Sequence, residues 1–99
     1  MEQLKVALAN NRGQIQLLVD DQQVGEMEIS VHNGQLTVYH TEVNPAYEGK
    51  GYAKLLLSKL VEYARENNLK IVPLCPYVHG QFKRYPELYQ DIWYTQKND

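Results

Sequence analysis

The sequence predicts an α+β sandwich: a mostly antiparallel sheet of about five strands, one long helix packed on it, and a short helical cap at the C-terminal end. Three observations carry that expectation. Up to about Val43, apolar and polar residues alternate in short runs separated by Asn, Asp and Gly, which is the period of half-buried strands and their turns. From Gly51 to Asn67 the period changes to that of an amphipathic helix. Leu69 to Leu74 then forms a short apolar stretch, long enough for a buried strand and too short for a helix.

Taken in order, Leu4 to Ala9 and Gln14 to Val19 are the first two predicted strands. Asn10-Asn11-Arg12-Gly13 joins them as a tight turn rich in residues that tolerate positive φ. Asp20-Asp21-Gln22-Gln23 is the next reversal. Val24 to Val31 alternates, with Val24, Glu26, Glu28 and Ser30 expected on one face and Met27, Ile29 and Val31 on the other. Asn33-Gly34 follows, a strong hairpin signal because a type I′ turn needs positive φ at both central residues. The fourth strand runs from Leu36 to about Val43.

In the helix, Ala53, Leu56, Leu57, Leu60, Val61 and Ala64 make one apolar stripe, with Lys54, Ser58, Lys59, Glu62, Arg65 and Glu66 opposite. Asn67-Asn68 ends it, since asparagine accepts the left-handed conformation common at helix C-termini. Leu69 to Leu74 can return parallel to the fourth strand by a crossover through the helix. Cys75-Pro76 closes it, Tyr77 to about Asp91 reads as one or two short helices broken at Pro86, and Thr95 to Asp99 is a polar tail expected to fray.

Ninety-nine residues support one domain, 1–99, around a modest core. With 10 basic against 12 acidic residues and a net charge of −2, the chain lacks the basic excess of a nucleic-acid binder. No apolar run is long enough to span a membrane, and none follows Met1 as a signal peptide would. One cysteine, Cys75, excludes an internal disulfide. His32, His40 and His79 have no paired spacing, so no metal site is expected. These features together describe a reduced, cytoplasmic protein.

The segment Thr41 to Ala53 carries the functional signal. A strand ends, a glycine-bearing turn follows, and a helix begins, which aims unpaired N–H groups and the positive end of the helix dipole at one point. Such a point binds phosphate. The turn lacks the GK[ST] ending of a Walker loop and the third glycine of the dinucleotide fingerprint.

The motifs His40-Thr41-Glu42-Val43, Tyr47-Glu48-Gly49-Lys50-Gly51-Tyr52-Ala53, Tyr63-Ala64-Arg65-Glu66-Asn67, Val72-Pro73-Leu74-Cys75-Pro76-Tyr77-Val78 and Pro86-Glu87 occur in this order. In them the chain resembles the GCN5-related N-acetyltransferases (GNAT), in particular their small, single-domain YjdJ-type branch. The resemblance implies acetyl-coenzyme A as co-substrate and an amine as acceptor, a small amine or a protein lysine. It places Glu48, Gly49, Lys50, Gly51, Tyr52 and Ala53 on the superfamily's pyrophosphate loop. Glu48 stands where that loop has Gln or Arg, a departure that weakens the attraction for phosphate. The resemblance also puts a backbone N–H of Val43 or Asn44 on the thioester oxygen.

Acetyl transfer to an amine needs a held thioester, a donor to its carbonyl and a base for the amine proton. Alternation puts His40 and Glu42 on one face beside the implied thioester. Glu42 is the first candidate base and His40 the second; each can equally be a structural or solvated residue. Cys75 can accept the acetyl group or act as a base, with His40 or His79 favouring its thiolate, or it can be a small buried hydrophobe. Tyr77, Tyr85 and Tyr89 can each offer a phenol to the leaving thiolate. Phe82 to Tyr85 forms a basic aromatic cluster suited to packing on the sheet or to the adenine end of the co-substrate. Larger GNAT proteins insert helices between their first two strands; this chain has only Asn10 to Gly13 there, so the acceptor side is expected to be open. A CoA-binding module without catalysis, or a protein-interaction domain, is the alternative function.

Overall fold

The structure, a computed structural model, describes residues 1–95. The expected frayed tail lies, beyond Thr95, outside the described residues. The elements are β1 (Glu2–Ala9), β2 (Arg12–Val19), β3 (Gln22–His32), β4 (Gln35–Val43), a 3-10 turn (Pro45–Tyr47), α1 (Tyr52–Glu66), β5 (Lys70–Pro73), α2 (Pro76–Arg84) and α3 (Pro86–Tyr89). The strands form one sheet in the order β1-β2-β3-β4-β5, antiparallel except for the parallel β4–β5 pair. This is the GNAT-like α+β arrangement that the sequence implies.

Three reversals build the meander, each with two residues at positive φ: Asn10-Asn11 (54° and 67°), Asp20-Asp21 (51° and 68°) and Asn33-Gly34 (51° and 78°). Each side chain there is short and tolerates that region. The first two turns are tighter than expected, so Arg12-Gly13 and Gln22-Gln23 join the strands. Arg12 pairs with Ala9, and Gly13 packs so closely on β1 that a Cβ would meet the Ala7 carbonyl oxygen at 1.8 Å.

Two bulges break the alternation. Leu17 pairs with Gly25 and Leu18 with Gln23, leaving Val24 as the extra residue of β3. That extra residue turns Val24 into the core, at 2% exposure, instead of onto the face of Glu26 where strict alternation puts it. In β4, Glu28 pairs with His40 and Ile29 with Val38, leaving Tyr39 as the extra residue.

One hydrophobic cluster joins the inner face of the sheet to the helices. Ile15, Leu17, Met27, Ile29, Leu36 and Val38 supply the sheet side. Leu56, Leu57, Leu60, Val61 and Ala64 supply α1, matching the predicted stripe, with Tyr52 buried and Ala53 half-buried at its start. Phe82 stacks on Tyr89 at 4.7 Å and leans on Trp93 at 5.5 Å, which closes the C-terminal end of the core. The chain then pairs with the free edge of β5 through Ile71 and Trp93. Among the described residues no helix is long and apolar enough to cross a membrane.

The other face of the sheet carries Gln14, Gln16, Glu26, Glu28, Ser30, Thr37, His40 and Glu42, none of them buried. Its rungs are readable from the register: Lys5–Gln16–Glu26–Glu42 and Ala7–Gln14–Glu28–His40. This face is thus open, and the first turn leaves it uncovered.

Arg65 clips α1 to the chain after α3, its Nε 2.9 Å from Asp91 Oδ2 and its Nη2 2.8 Å from the Leu88 carbonyl. The guanidinium's hydrogen bond holds the Asp91 carboxyl below its ordinary range. A carboxyl depressed in the folded state contributes stability above its unfolded pKa, and the contribution is lost as pH falls through the depressed folded value. Because the pair is exposed, Asp91→Asn is expected to cost no more than about 1 kcal/mol at neutral pH. In urea titrations that cost disappears in acid below the carboxylate range. Leu60 has no exposure and Leu88 has 54%, so Leu60→Ala is expected to cost about 2–5 kcal/mol in the same assay. Leu88→Ala stays within about 0.5 kcal/mol.

Candidate active site

The site begins where β4 and β5 part. Their parallel ladder runs from Gln35–Lys70 to Val38–Pro73 and stops. At that point the Val38 carbonyl accepts from the N–H groups of both Leu74 and Cys75, each at 3.0 Å, and β4 bulges at Tyr39. Beyond Val38 the strands diverge, β5 turning into α2 and β4 continuing to the glycine turn. The bulged Tyr39 is held on the outer side by Ser30, 2.7 Å from its hydroxyl, and by Arg12, 5.1 Å above its ring.

The glycine turn lies at the open end of this gap. Gly49 and Gly51 have φ of 82° and 77°, and a Cβ at either would meet nothing within 4 Å. These are left-handed positions open to a ligand's approach. Gly51 caps α1 without any side-chain hydrogen bond, and no acidic residue stands in the first turn. The first N–H groups of α1 therefore have neither an intrahelical acceptor nor a side-chain cap, and no carboxylate within the first turn offsets the helix dipole. Asn44 shapes the approach: its side chain accepts from Ala46 N–H at 2.9 Å, nucleating the 3-10 turn.

Val43, Tyr47, Glu48, Gly49, Gly51, Tyr52, Ala53, Lys54 and Tyr77 line one cleft of about 320 Å³. The structure thus gathers Val43, Glu48, Gly49, Gly51, Tyr52 and Ala53 as the sequence suggested. Lys50 is exposed and does not line the cleft. Lys54, read from periodicity as part of the solvated helix face, lines it instead. Of the two residues considered for the thioester oxygen, Asn44 has its N–H engaged by the Val24 carbonyl at 2.8 Å; Val43 remains. Of the three candidate phenols, Tyr77 lines the cleft and Tyr85 and Tyr89 do not. Burial raises its phenol above the usual tyrosine range, with Tyr89 and Cys75 adding to the effect, so it stays protonated and able to donate at neutral pH.

The three proposed chemical groups fall on two sides of β4. His40 and Glu42 share the outer face, as alternation required, with Nε2 3.7 Å from Oε1 and their side chains 60% and 63% exposed. Cys75 lies on the inner side of the gap at 2% exposure. Its sulfur does not pair with a histidine. Its recorded partner is Thr41, with Oγ1 3.1 Å from Sγ. His79 instead sets its ring edge against Trp93. Thr41 was missed because its signal, the alternation that sets it opposite His40 and Glu42, only becomes meaningful once Cys75 is known to face it. Phe82 is buried, while Lys83 and Arg84 are exposed and Arg84 lies over the Tyr85 ring. No group of His, Cys, Asp and Glu suited to a metal ion occurs among the described residues.

Residues 14–92 match the family model described as GCN5-related N-acetyl-transferase, so the chain belongs to that family. Among solved structures it is similar to a GCN5-like protein from Staphylococcus aureus, at 30% identity and a TM-score of 0.65, over 93% of this chain and 87% of that one. It is similar also to the ribosomal-protein-alanine N-acetyltransferase of Brucella melitensis biovar Abortus, at 26% identity and TM-score 0.62, over 88% of this chain and 64% of that one. PaiA N-acetyltransferase of Thermoplasma acidophilum, solved with coenzyme A, shares the fold at 14% identity and TM-score 0.60, over 79% and 50% of the two chains. The chain therefore spans about half to two thirds of the length of these two enzymes. Among curated proteins none matches the sequence.

Glu48 is the one acidic residue lining the cleft. Glu48→Gln is expected to tighten acetyl-CoA binding by about two- to fivefold, the range of an exposed charge contact. Calorimetric titration of both proteins at low salt measures it, and the difference shrinks as salt is added.

Proposed function

We propose that this chain is an acetyl-CoA-dependent N-acetyltransferase whose acceptor is a small amine or a protein lysine. The observation that carries this reading is one cleft: the uncapped, glycine-bearing start of α1 lines it together with Val43 and Tyr77, which follow the point where the β4–β5 ladder ends. A CoA thioester is an extended chain with a diphosphate at one end and a reactive carbonyl at the other, and this cleft holds the unpaired amides of a helix start together with the Tyr77 phenol.

In this reading the main-chain N–H groups around Gly49 to Ala53 hold the diphosphate, with Lys54 and Lys50 adding positive charge. Val43 lies along the pantetheine arm. Cys75 takes the acetyl group as a thioester and passes it to the amine, and Tyr77, kept protonated, donates to the departing CoA sulfur. Glu42 receives the amine proton on the outer face, directly or through water, with His40 beside it. The buried sulfur with its hydroxyl partner favours Cys75 over the two exposed groups as the atom that first meets the thioester. A cytoplasmic setting keeps that thiol reduced.

The open outer face supports the protein-lysine end of the acceptor range, since nothing on this side walls a small amine away from water. The same openness favours one alternative, a CoA-binding module without catalysis. Heat-shift titration with acetyl-CoA and desulfo-CoA tests the shared premise. At a hundredfold excess over Kd the expected stabilisation is about 2.7 kcal/mol, on the order of 10–20 °C for a domain of this size. No shift at millimolar co-substrate sinks both. Radiolabelled acetyl-CoA with a pool of amines and lysine peptides then separates them: label transfer that is lost in Cys75→Ala and Glu42→Gln marks the enzyme, and stabilisation without any transfer marks the module.

A further inference from the structure

One side chain of the His40-Thr41-Glu42 motif has no part in the reaction outlined above. Alternation turns Thr41 away from its two neighbours and onto the side of β4 shared with Val43. Val43 and Tyr77 line the cleft. Thr41 and Cys75 each stand two residues before them in sequence, past the end of the β4–β5 ladder, and neither lines the cleft itself. The contact between Oγ1 and Sγ, 3.1 Å, crosses this gap. Thr41 is half-buried and the sulfur is nearly enclosed, so the hydroxyl's bond to Cys75 fixes where that sulfur stands.

We propose that Thr41 is a positioning residue: its hydroxyl holds the Cys75 sulfur at the parting of β4 and β5 and stays bonded to it through thiol–thioester exchange. The role rests on the acetyl-cysteine reading above. In the exchange, Sγ forms a bond to the acetyl carbonyl carbon and the bond from that carbon to the CoA sulfur breaks, its electron pair leaving on the CoA sulfur. Tyr77 gives its proton to that sulfur and is restored by the proton that the Cys75 thiol releases, so thiol and thioester change places with no oxidant or reductant. The amine then takes the acetyl carbon, and the bond from that carbon to Sγ breaks with its electron pair returning to sulfur. The amine proton goes to Glu42 as outlined above, and the sulfur regains a proton from water. A hydroxyl serves both ends of this cycle, accepting from S–H at rest and donating as negative charge builds on sulfur. A β-branched residue, stiff at χ1, aims that hydroxyl better than a flexible one.

Thr41→Val keeps the branching and removes the hydroxyl; Thr41→Ser keeps the hydroxyl. Since Cys75 is the one cysteine of the chain, intact-protein mass spectrometry after rapid quench reads acetylation of a single thiol, verified by its loss in neutral hydroxylamine. Thr41→Val is expected to slow single-turnover acetylation about 10- to 100-fold, the size of a lost hydrogen bond to a charged group. The half-saturating acetyl-CoA concentration and the CoA-induced melting shift stay unchanged, and Thr41→Ser stays within about threefold of the parent. Without any co-substrate, alkylation by iodoacetamide falls about tenfold in Thr41→Val and little in Thr41→Ser. Where Thr41→Val does not fold, Thr41→Ala replaces it.

Equal rates in the parent and the hydroxyl-less variant overturn the positioning role, and so does a loss in Thr41→Ser as large as in Thr41→Val, which would assign the effect to packing. A parent that is stabilised by acetyl-CoA yet never carries an adduct sinks the acetyl-cysteine reading, and the role of Thr41 falls with it.

Discussion

The carbonyl of Val38 is the pivot of this molecule. It ends the parallel ladder and, in accepting from both Leu74 and Cys75, turns β5 away from β4. The bulge at Tyr39 falls at the same place, so the two strands part at a defined residue instead of fraying. Everything with chemical potential is set relative to that point: Cys75 at its inner edge, Thr41 and then Val43 along one wall, Tyr77 along the other, the glycine turn at the mouth. A continuous six- or seven-residue ladder would have been easier to build and would have left no gap for a ligand's arm.

Electrostatically the cleft is arranged by omission as much as by charge. Helix α1 begins with a glycine in the left-handed region and no side-chain cap, forgoing only the few tenths of a kcal/mol by which a Ser, Thr, Asp or Asn cap exceeds glycine. The same omission leaves first-turn amides free for an anion. Glu48 pulls the other way, and Lys54 counters it from the first turn of the helix. Such local departures from good helix design are expected where a protein serves a ligand instead of its own stability.

Much of this was legible in the sequence because it rests on local chemistry. Asn33-Gly34 fixed a hairpin by backbone preference alone, the stripe from Leu56 to Ala64 fixed the packed face of α1, and the turn at Gly49 to Ala53 announced its unpaired amides. The bulges were not legible. A bulge is one residue that breaks an alternation, and from sequence Val24 looks like a member of the Glu26 face and Tyr39 like an ordinary strand residue. Both depend on how neighbouring strands slide into register, which no single strand encodes. The pairing of Thr41 with Cys75 was hidden for a related reason: it joins residues 34 positions apart across a gap that opens where the β4–β5 ladder ends. The exclusion of Lys50 and inclusion of Lys54 likewise turned on the orientation of a single helical turn.

The meander also has a kinetic meaning. Strands β1 to β4 are linked by two-residue reversals, so each can zip onto its neighbour at small cost in loop closure. Strand β5 must wait for α1 to form and dock before it reaches β4. The division between early and late regions runs along the β4–β5 seam, which places the whole ligand cleft on the boundary between a quickly formed half and a slowly closed one. A molecule inserted there bridges the two halves, and so acts as the keystone of an arch whose sides were raised at different times.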